Sequence, residues 1–474
     1  MGGDRRSIRG AGRPRNHHGL RTRGVLVALA GLLAQGCTAY FAVNDPVPET
    51  NPMSGYRPRT RPQAGRSNEL LLTLAFSGGG TRAAAFAYGV LEELAATLVA
   101  FDGSERALVD EVDVISGVSG GSFTAAYYGL HGRDTFDTFE KRFLRRDVQG
   151  DIGMRLLAPW NWPRLFSPWF TRSDLVAEYY DDRIFDRALF ADLEQRNGPA
   201  IQIFATDMAT GHPFAFNQDQ FDFLCSDLLT YSIARAVTAS SAVPGLFAPI
   251  TLKNFSGGCG FEPPAWVRRE AAREYSFDRM YVNARNLDSY LNSDRRKYIR
   301  LVDGGISDNL ALRGPFEAWT LRPPRPGERP AQDGVLRNVV VIVVNAATTP
   351  EAAWETVDLP PALSIILRDS TSAQLQRYNL ETLEQVRALL RLWDAVAREW
   401  EQPVRFHLVE VDFMKIRDAE ERRYLNSQPT SFRIDDEGID RLIAAGRQAL
   451  RESPSFERVL GSIAGQGDEP QPAR

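Results

Sequence analysis

Cysteine and histidine are both scarce in this chain, with three of the one and five of the other among 474 residues. So few thiols exclude a disulfide-framed mini-protein, and neither residue recurs at the spacings that hold zinc, so no metal site is expected. No N-terminal hydrophobic run is long enough to cross a bilayer: the uncharged stretch from Gly24 to Gly36 has thirteen residues, against the ~20 that a spanning helix needs. An excess of basic charge is missing as well. The formal net charge is -4, and seven of the arginines fall in the first 36 residues beside a single acid, Asp4. Without that head, 49 basic residues face 59 acidic ones, a net charge of -10. Such a body repels a phosphate backbone, which argues against nucleic acid as a partner. What is present is ordinary globular composition, 43% hydrophobic and 24% charged, in a chain long enough to bury a large core.

The arginine head leads into Gly24–Gly36, and small residues close that stretch. A basic head, an apolar middle and a small-residue end describe a secretory signal peptide over residues 1–36. Leu33-Ala34-Gln35-Gly36-Cys37 resembles the lipobox of bacterial lipoproteins. That resemblance implies a lipidated Cys37 as the new N-terminus, and a chain exported to the bacterial cell envelope and anchored on its membrane. The alternative is an ordinary signal peptide cut nearby. Residues 38–67 hold five prolines and little apolar periodicity, so 37–68 is expected to be an extended tether. Residues 69–460 form the expected folded body with a C-terminal α/β extension, and 461–474 a disordered tail. With Cys37 lipidated, Cys225 and Cys259 are left in an oxidising compartment, either as a disulfide or as two buried thiols.

The body alternates β and α patterns. Glu69–Phe76, Val112–Ile115, Ala200–Ala205, Tyr298–Val302 and Val339–Val344 are short continuous apolar runs, the mark of strands covered on both faces. Thr81–Leu98, Leu229–Ala239, Ser372–Arg398 and Ile439–Arg451 carry helical periodicity. An α/β fold follows, with a largely parallel central sheet and helices on both faces. Ligands of such sheets collect where strands end and helices begin.

Three strand ends carry unusual residues. Gly117-Val118-Ser119-Gly120-Gly121 fits a sharp strand-to-helix turn that exposes a serine hydroxyl; its plainer reading is a glycine turn with a capping serine. Ser77-Gly78-Gly79-Gly80-Thr81-Arg82 lets successive backbone N–H groups converge on an oxyanion at a helix N-terminus. The same loop fits a dinucleotide fingerprint, Gly78-x-Gly80-x-x-Ala83, but that reading needs a ribose-binding acid at the end of the next strand, which ends instead at Ser116-Gly117. Leu301-Val302-Asp303-Gly304-Gly305 sets a carboxylate at a strand end with no bulk beside it, either as a base for Ser119 or as a turn residue. His407 follows Asp303 in the order of a serine–acid–histidine triad, yet it sits in an apparent strand, Val404–Asp412, and reads as structural. Trp160–Phe170 packs five aromatics into eleven residues; the common role of such a cluster is a packed cap over the core, the other a lipid interface or acyl channel.

In this order the three segments resemble the patatin-like phospholipases, over about residues 69–310. Ser77–Arg82 matches that family's glycine-rich loop, Gly117–Gly121 its nucleophile elbow, Asp303–Gly305 its acid motif, and Ala239-Ser-Ser-Ala-Val-Pro-Gly-Leu-Phe247 a segment the family carries between elbow and acid. Ala83 stands where the family usually has another glycine, and Pro315 comes later than its usual proline. The resemblance implies a three-layer architecture, Ser119 as nucleophile and Asp303 as base. It also implies an oxyanion hole of Gly78, Gly79 and Gly80 supported by Arg82, and no cofactor. Arg82 is otherwise a solvated first-turn cation, poorly placed against the helix dipole. The implied substrate is membrane phospholipid or lysophospholipid. The rivals are a catalytically silent lipid-binding or assembly lipoprotein and a dinucleotide-dependent oxidoreductase.

Overall fold

The computed structural model describes residues 43–58, 65–101, 103–276, 278–314, 336–349, 358, 360–400 and 402–465. The leader, Cys37 and most of the expected tail lie outside these residues. Among the described residues eight strands make the central sheet: β1 (Leu70–Phe76), β2 (Val112–Val118), β3 (Ala200–Asp207), β4 (Pro213–Ala215), β5 (Ile250–Lys253), β6 (Tyr298–Val302), β7 (Asn338–Asn345) and β8 (Arg405–Asp412). They run in the order β8-β7-β1-β2-β3-β6-β5, with β4 beside β3. The five strands from β8 to β3 are parallel. β4, β5 and β6 pair antiparallel.

Both faces of the sheet are covered, which is why the strands read as unbroken apolar runs. In β1 and β7, Leu72, Leu74, Phe76, Val340, Ile342 and Val344 join one core cluster, and the intervening Ala75, Val341 and Val343 join another. The first cluster is shared with α1 (Gly80–Ala96), α2 (Gly120–His131), α3 (Ile233–Ser240) and α5 (Asp436–Arg451). The second takes Val386 and Leu390 from α4 (Leu363–Ala397). Helices α1 and α5 meet backbone to backbone. A Cβ on Gly89 would fall 2.1 Å from the Ile443 carbonyl oxygen, and one on Gly446 would fall 2.3 Å from that of Phe86, so only glycine permits the approach.

Part of the expected tether belongs to the body instead. Asp45–Pro46 pairs with Ser226–Asp227. Tyr56 is fully buried, and its hydroxyl accepts the Ile201 N–H at 2.6 Å. Arg57, also buried, reaches Asp219 at 2.6 Å and Asp222 at 2.7 Å. Proline fits an edge or a turn of a packed segment as well as a free linker, which hid this from the composition.

Cys225 and Cys259 are bonded, with Cα atoms 5.6 Å apart across a separation of 34 residues. The same bridge receives the N-terminal segment: Val47 N–H donates to the Cys225 carbonyl and Thr50 N–H to that of Cys259. Closing such a loop contributes about 3–4 kcal/mol by chain entropy. The double change Cys225→Ser, Cys259→Ser is expected to lower Tm by roughly 4 °C, taking an unfolding entropy of about 2 cal/mol/K per residue. Thermal melts should show the same fall for wild type under reductant. Equal melting of oxidised and reduced protein would remove the bridge as a stabiliser.

Candidate active site

Strand β2 runs through the glycine and valine of the expected turn, because Gly117 and Val118 pair with Ile203 and Phe204 of β3. The chain then reverses at Ser119, whose φ of 49° and ψ of -121° are costly for a residue with a side chain, by ~1–3 kcal/mol. Such strain is the signature of an elbow that lifts a hydroxyl clear of its strand. The elbow touches the loop before α1 directly. A Cβ on Gly120 would lie 2.0 Å from the Gly80 carbonyl oxygen, and one on Gly78 3.3 Å from the Ser119 Cβ.

Asp303 meets this serine by an unexpected route. Strand β6 is antiparallel to β3, so its end should lie at the wrong edge of the sheet. It overlaps β3 by only two pairs, Leu301 with Asp207 and Val302 with Thr206. Asp303 therefore stops level with the carboxyl ends of β2 and β3. Ser119 Oγ donates to Asp303 Oδ2 at 3.0 Å, and Gly305 N–H donates to Asp303 Oδ1 at 2.8 Å. Burial pushes the Asp303 carboxyl up to about 6, against the opposing pull of the Gly305 and Ser119 donors.

The end of α3 ties the pair together. Ser240 Oγ accepts the Ser119 N–H at 2.9 Å and donates to the Phe204 carbonyl at 2.6 Å. The Ser240 carbonyl accepts from Gly304 and the Ala242 carbonyl from Asp303. Thr206 Oγ1 donates to the Asp303 carbonyl at 2.8 Å. Ser240 is thus a positioning residue for both partners. Its segment was noticed in the sequence, but nothing there distinguished this hydroxyl from that of Ser241. Ser240→Ala strands the buried Ser119 N–H. The expected result is a 10–100-fold fall in kcat, equivalent to roughly 1–3 kcal/mol, with KM little changed and rescue by Ser240→Thr. A KM effect without a kcat effect would contradict this placement.

Of the three loop glycines expected to face an oxyanion, Gly78 is otherwise engaged: its N–H donates to the Asn309 carbonyl at 3.0 Å. The N–H groups of Gly79, Gly80 and Gly120 have no partner among the described residues and are the donors left beside Ser119. Gly120 N–H belongs to the residue after the elbow serine, the usual position for one such donor. Arg82 is buried rather than solvated, which overturns its plainer reading. Its Nε donates to the Ala346 carbonyl at 3.0 Å and its Nη1 to that of Gln428 at 2.7 Å. Burial lowers its pKa to about 10, so it keeps its charge beside the loop. The C-terminal extension completes this corner, since the Ser431 carbonyl accepts the Thr81 N–H at 2.9 Å. A Cβ on Gly80 would meet that same oxygen at 2.5 Å. The elbow, Asn309 and Ser431 thus pack directly against the glycine loop.

Among the described residues no histidine is bonded to Ser119 or to the Asp303 carboxylate. His407 sits on β8, three strands from β2, and the register sets it level with Val112, at the opposite end of β2 from Ser119; there its Nε2 meets Asn338 Oδ1 at 3.3 Å. Burial holds its pKa down at about 4. Among the described residues no three His, Cys, Asp or Glu side chains converge as metal ligands would. The aromatic segment is not a packed cap. Trp160 is 78% and Phe166 83% exposed, Trp162 and Trp169 are also exposed, and only Phe170 turns inward, under the Arg164 guanidinium.

A buried hydroxyl–carboxylate pair with free amide donors beside it is the apparatus of an acyl hydrolase. Residues 74–315, half of the chain, match the patatin-like phospholipase family, and the chain belongs to that family. Among solved structures, the chain is similar to human GIVD cytosolic phospholipase A2 at 12% identity and a TM-score of 0.37, covering 84% of this chain and 62% of that one. For the same human enzyme in complex with methyl gamma-linolenyl fluorophosphonate, identity is 12% and the TM-score 0.40, with 84% and 59% covered. VipD from Legionella pneumophila gives 11% identity and a TM-score of 0.32 over 92% of this chain and 73% of that one. The chain thus spans less than two thirds of the human enzyme's length. No curated protein sequence matches it.

Proposed function

We propose that this chain hydrolyses fatty-acyl esters of membrane phospholipid or lysophospholipid through an acyl-enzyme on Ser119. The 3.0 Å contact between Ser119 Oγ and Asp303 Oδ2 carries the reading. Asp303 takes the hydroxyl proton as Oγ attacks the ester carbonyl, and the N–H groups of Gly79, Gly80 and Gly120 receive the oxyanion. Collapse expels the alcohol, which leaves with the proton held by Asp303. Water then gives a proton to Asp303 and attacks the acyl-serine, and the fatty acid departs as Ser119 recovers its proton. A carboxyl pushed to about 6 is ionised at neutral pH yet more basic than an ordinary aspartate, as a general base must be.

Lipid as the substrate phase is supported by the exposed Trp160, Trp162 and Phe166 beside Arg164, side chains suited to a headgroup boundary. A diacyl anchor on Cys37 would keep the body at that boundary in the bacterial envelope. The purified chain should release free fatty acid from phosphatidylcholine or lysophosphatidylcholine in mixed micelles, measured by titration of the acid. Folded protein that releases none, and takes up no fluorophosphonate, would favour the silent lipid-binding lipoprotein.

A further inference from the structure

Beyond the carboxyl end of β3 the chain builds a cationic cavity that the reaction above does not use. It is open, about 410 Å³, and its walls include Met208, Arg295, Arg296, Lys297, Tyr298 and Arg300. One of the four cations is neutralised: Arg296 Nη2 meets the buried Asp207 carboxylate at 2.5 Å, where the Tyr290 hydroxyl also donates at 2.8 Å. Arg295, Lys297 and Arg300 are exposed and have no carboxylate within ion-pair distance among the described residues. The exposed Asp294 is next in sequence but does not line the cavity.

The cavity lies at the same end of the sheet as Ser119 and Asp303. Thr206, the penultimate residue of β3, holds the Asp303 carbonyl, and Asp207, the last, holds Arg296. Met208 N–H, one residue on, donates to the Arg300 carbonyl at 2.9 Å. Arg300 precedes Asp303 by three strand positions, roughly 10 Å. A body of net charge -10 outside its leader would be repelled by an anionic bilayer unless it presented a locally cationic face. Three unneutralised cations around one hollow are complementary to phosphate-bearing headgroups.

We infer that this cavity is a docking site for the anionic phospholipid headgroups of a membrane surface, holding the sheet end that carries Ser119 and Asp303 against the bilayer. The inference rests on the lipid-hydrolase reading only for the choice of partner. Its test therefore reads binding without turnover, by co-sedimentation with vesicles, and the outcome does not depend on Ser119 being a nucleophile. The chain from residue 38 onward keeps every described element and lacks both the arginine-rich leader and Cys37, so neither contributes to binding.

Wild type should bind phosphatidylcholine vesicles containing phosphatidylglycerol far better than phosphatidylcholine alone, and raising salt to about 0.5 M should weaken that preference. The triple change Arg295→Gln, Lys297→Gln, Arg300→Gln should weaken binding to the anionic vesicles by roughly 100-fold, each cation being worth about fivefold near such a surface. The control triple Arg268→Gln, Arg285→Gln, Arg398→Gln removes equal charge from other exposed helices and should change binding less than threefold. Unaltered thermal melts verify that both variants fold. Equal losses in the two triples would mean net charge alone, and no loss in the first, or no preference for phosphatidylglycerol, would overturn the proposal. Release from vesicles by inorganic phosphate at constant ionic strength would also overturn it, by making the cavity a soluble-phosphate site.

Discussion

Ser119→Ala is expected to abolish fluorophosphonate labelling and to lower fatty-acid release by roughly 10⁴–10⁶-fold, the range in which loss of a serine nucleophile falls. The three serines nearest in the elbow, the glycine loop and α3 are each bonded elsewhere. Ser122 Oγ donates to the Ser119 carbonyl, Ser240 Oγ to that of Phe204, and Ser77 Oγ to that of Gly78. The loss should be a pure kcat effect on a folded protein, because the Oγ contributes one hydrogen bond and no packing. Ser119→Gly separates chemistry from strain: it is equally inactive, but a residue without Cβ accepts φ of 49° at no steric cost and should melt higher than the alanine variant. Labelling that survives in Ser119→Ala would place the nucleophile elsewhere and dismantle the proposed mechanism.

Much of this site was legible because its parts are local. A serine between glycines after an apolar run, a glycine triplet before a helix and an acid before two glycines each announce themselves within six residues. The parallel core was legible for a related reason: β7, buried almost throughout, reads as Asn-Val-Val-Val-Ile-Val-Val-Asn. What escaped depends on chain segments far apart in sequence. The direction of β6 is set by pairing with β3 and β5, and an apolar run carries no arrow. The engagement of Gly78 by Asn309 and the seating of the Arg82 guanidinium on Gln428 and Ala346 both end on backbone carbonyls, about which the side chains of those acceptor residues are nearly silent. Ser431 and Gln428 lie beyond residue 315, where the family match ends, yet they brace the glycine loop. The exposure of Trp160 and Phe166 likewise follows from where the chain around them packs, and composition favoured the opposite outcome.

Asp303→Asn should separate activity from stability. An amide cannot take the Ser119 proton, so hydrolysis is expected to fall by roughly 10²–10⁴-fold, the usual share of a general base. In wild type, kcat/KM should drop tenfold per pH unit below about 6, as the raised carboxyl becomes protonated, and the residual activity of the variant should lose that dependence. Stability moves the other way. The folded carboxyl binds its proton more tightly than an unfolded aspartate, whose ordinary value is 3.8. Between 3.8 and about 6 the native state therefore holds more protons than the unfolded chain, and stability declines as pH rises through that window. Above it the buried charge costs at most about 3 kcal/mol, two units at 1.36 kcal/mol each. Asparagine keeps the shape and can still accept the Gly305 N–H without carrying that charge. The variant should melt about 2–4 °C above wild type at pH 7.5, at roughly 2 cal/mol/K per residue, with the gap closing toward pH 4. A variant that melts lower than wild type at pH 7.5 would show that the Gly305 and Ser119 donors outweigh the burial. One that kept a tenth of wild-type kcat would show that the proton of Ser119 leaves by another route.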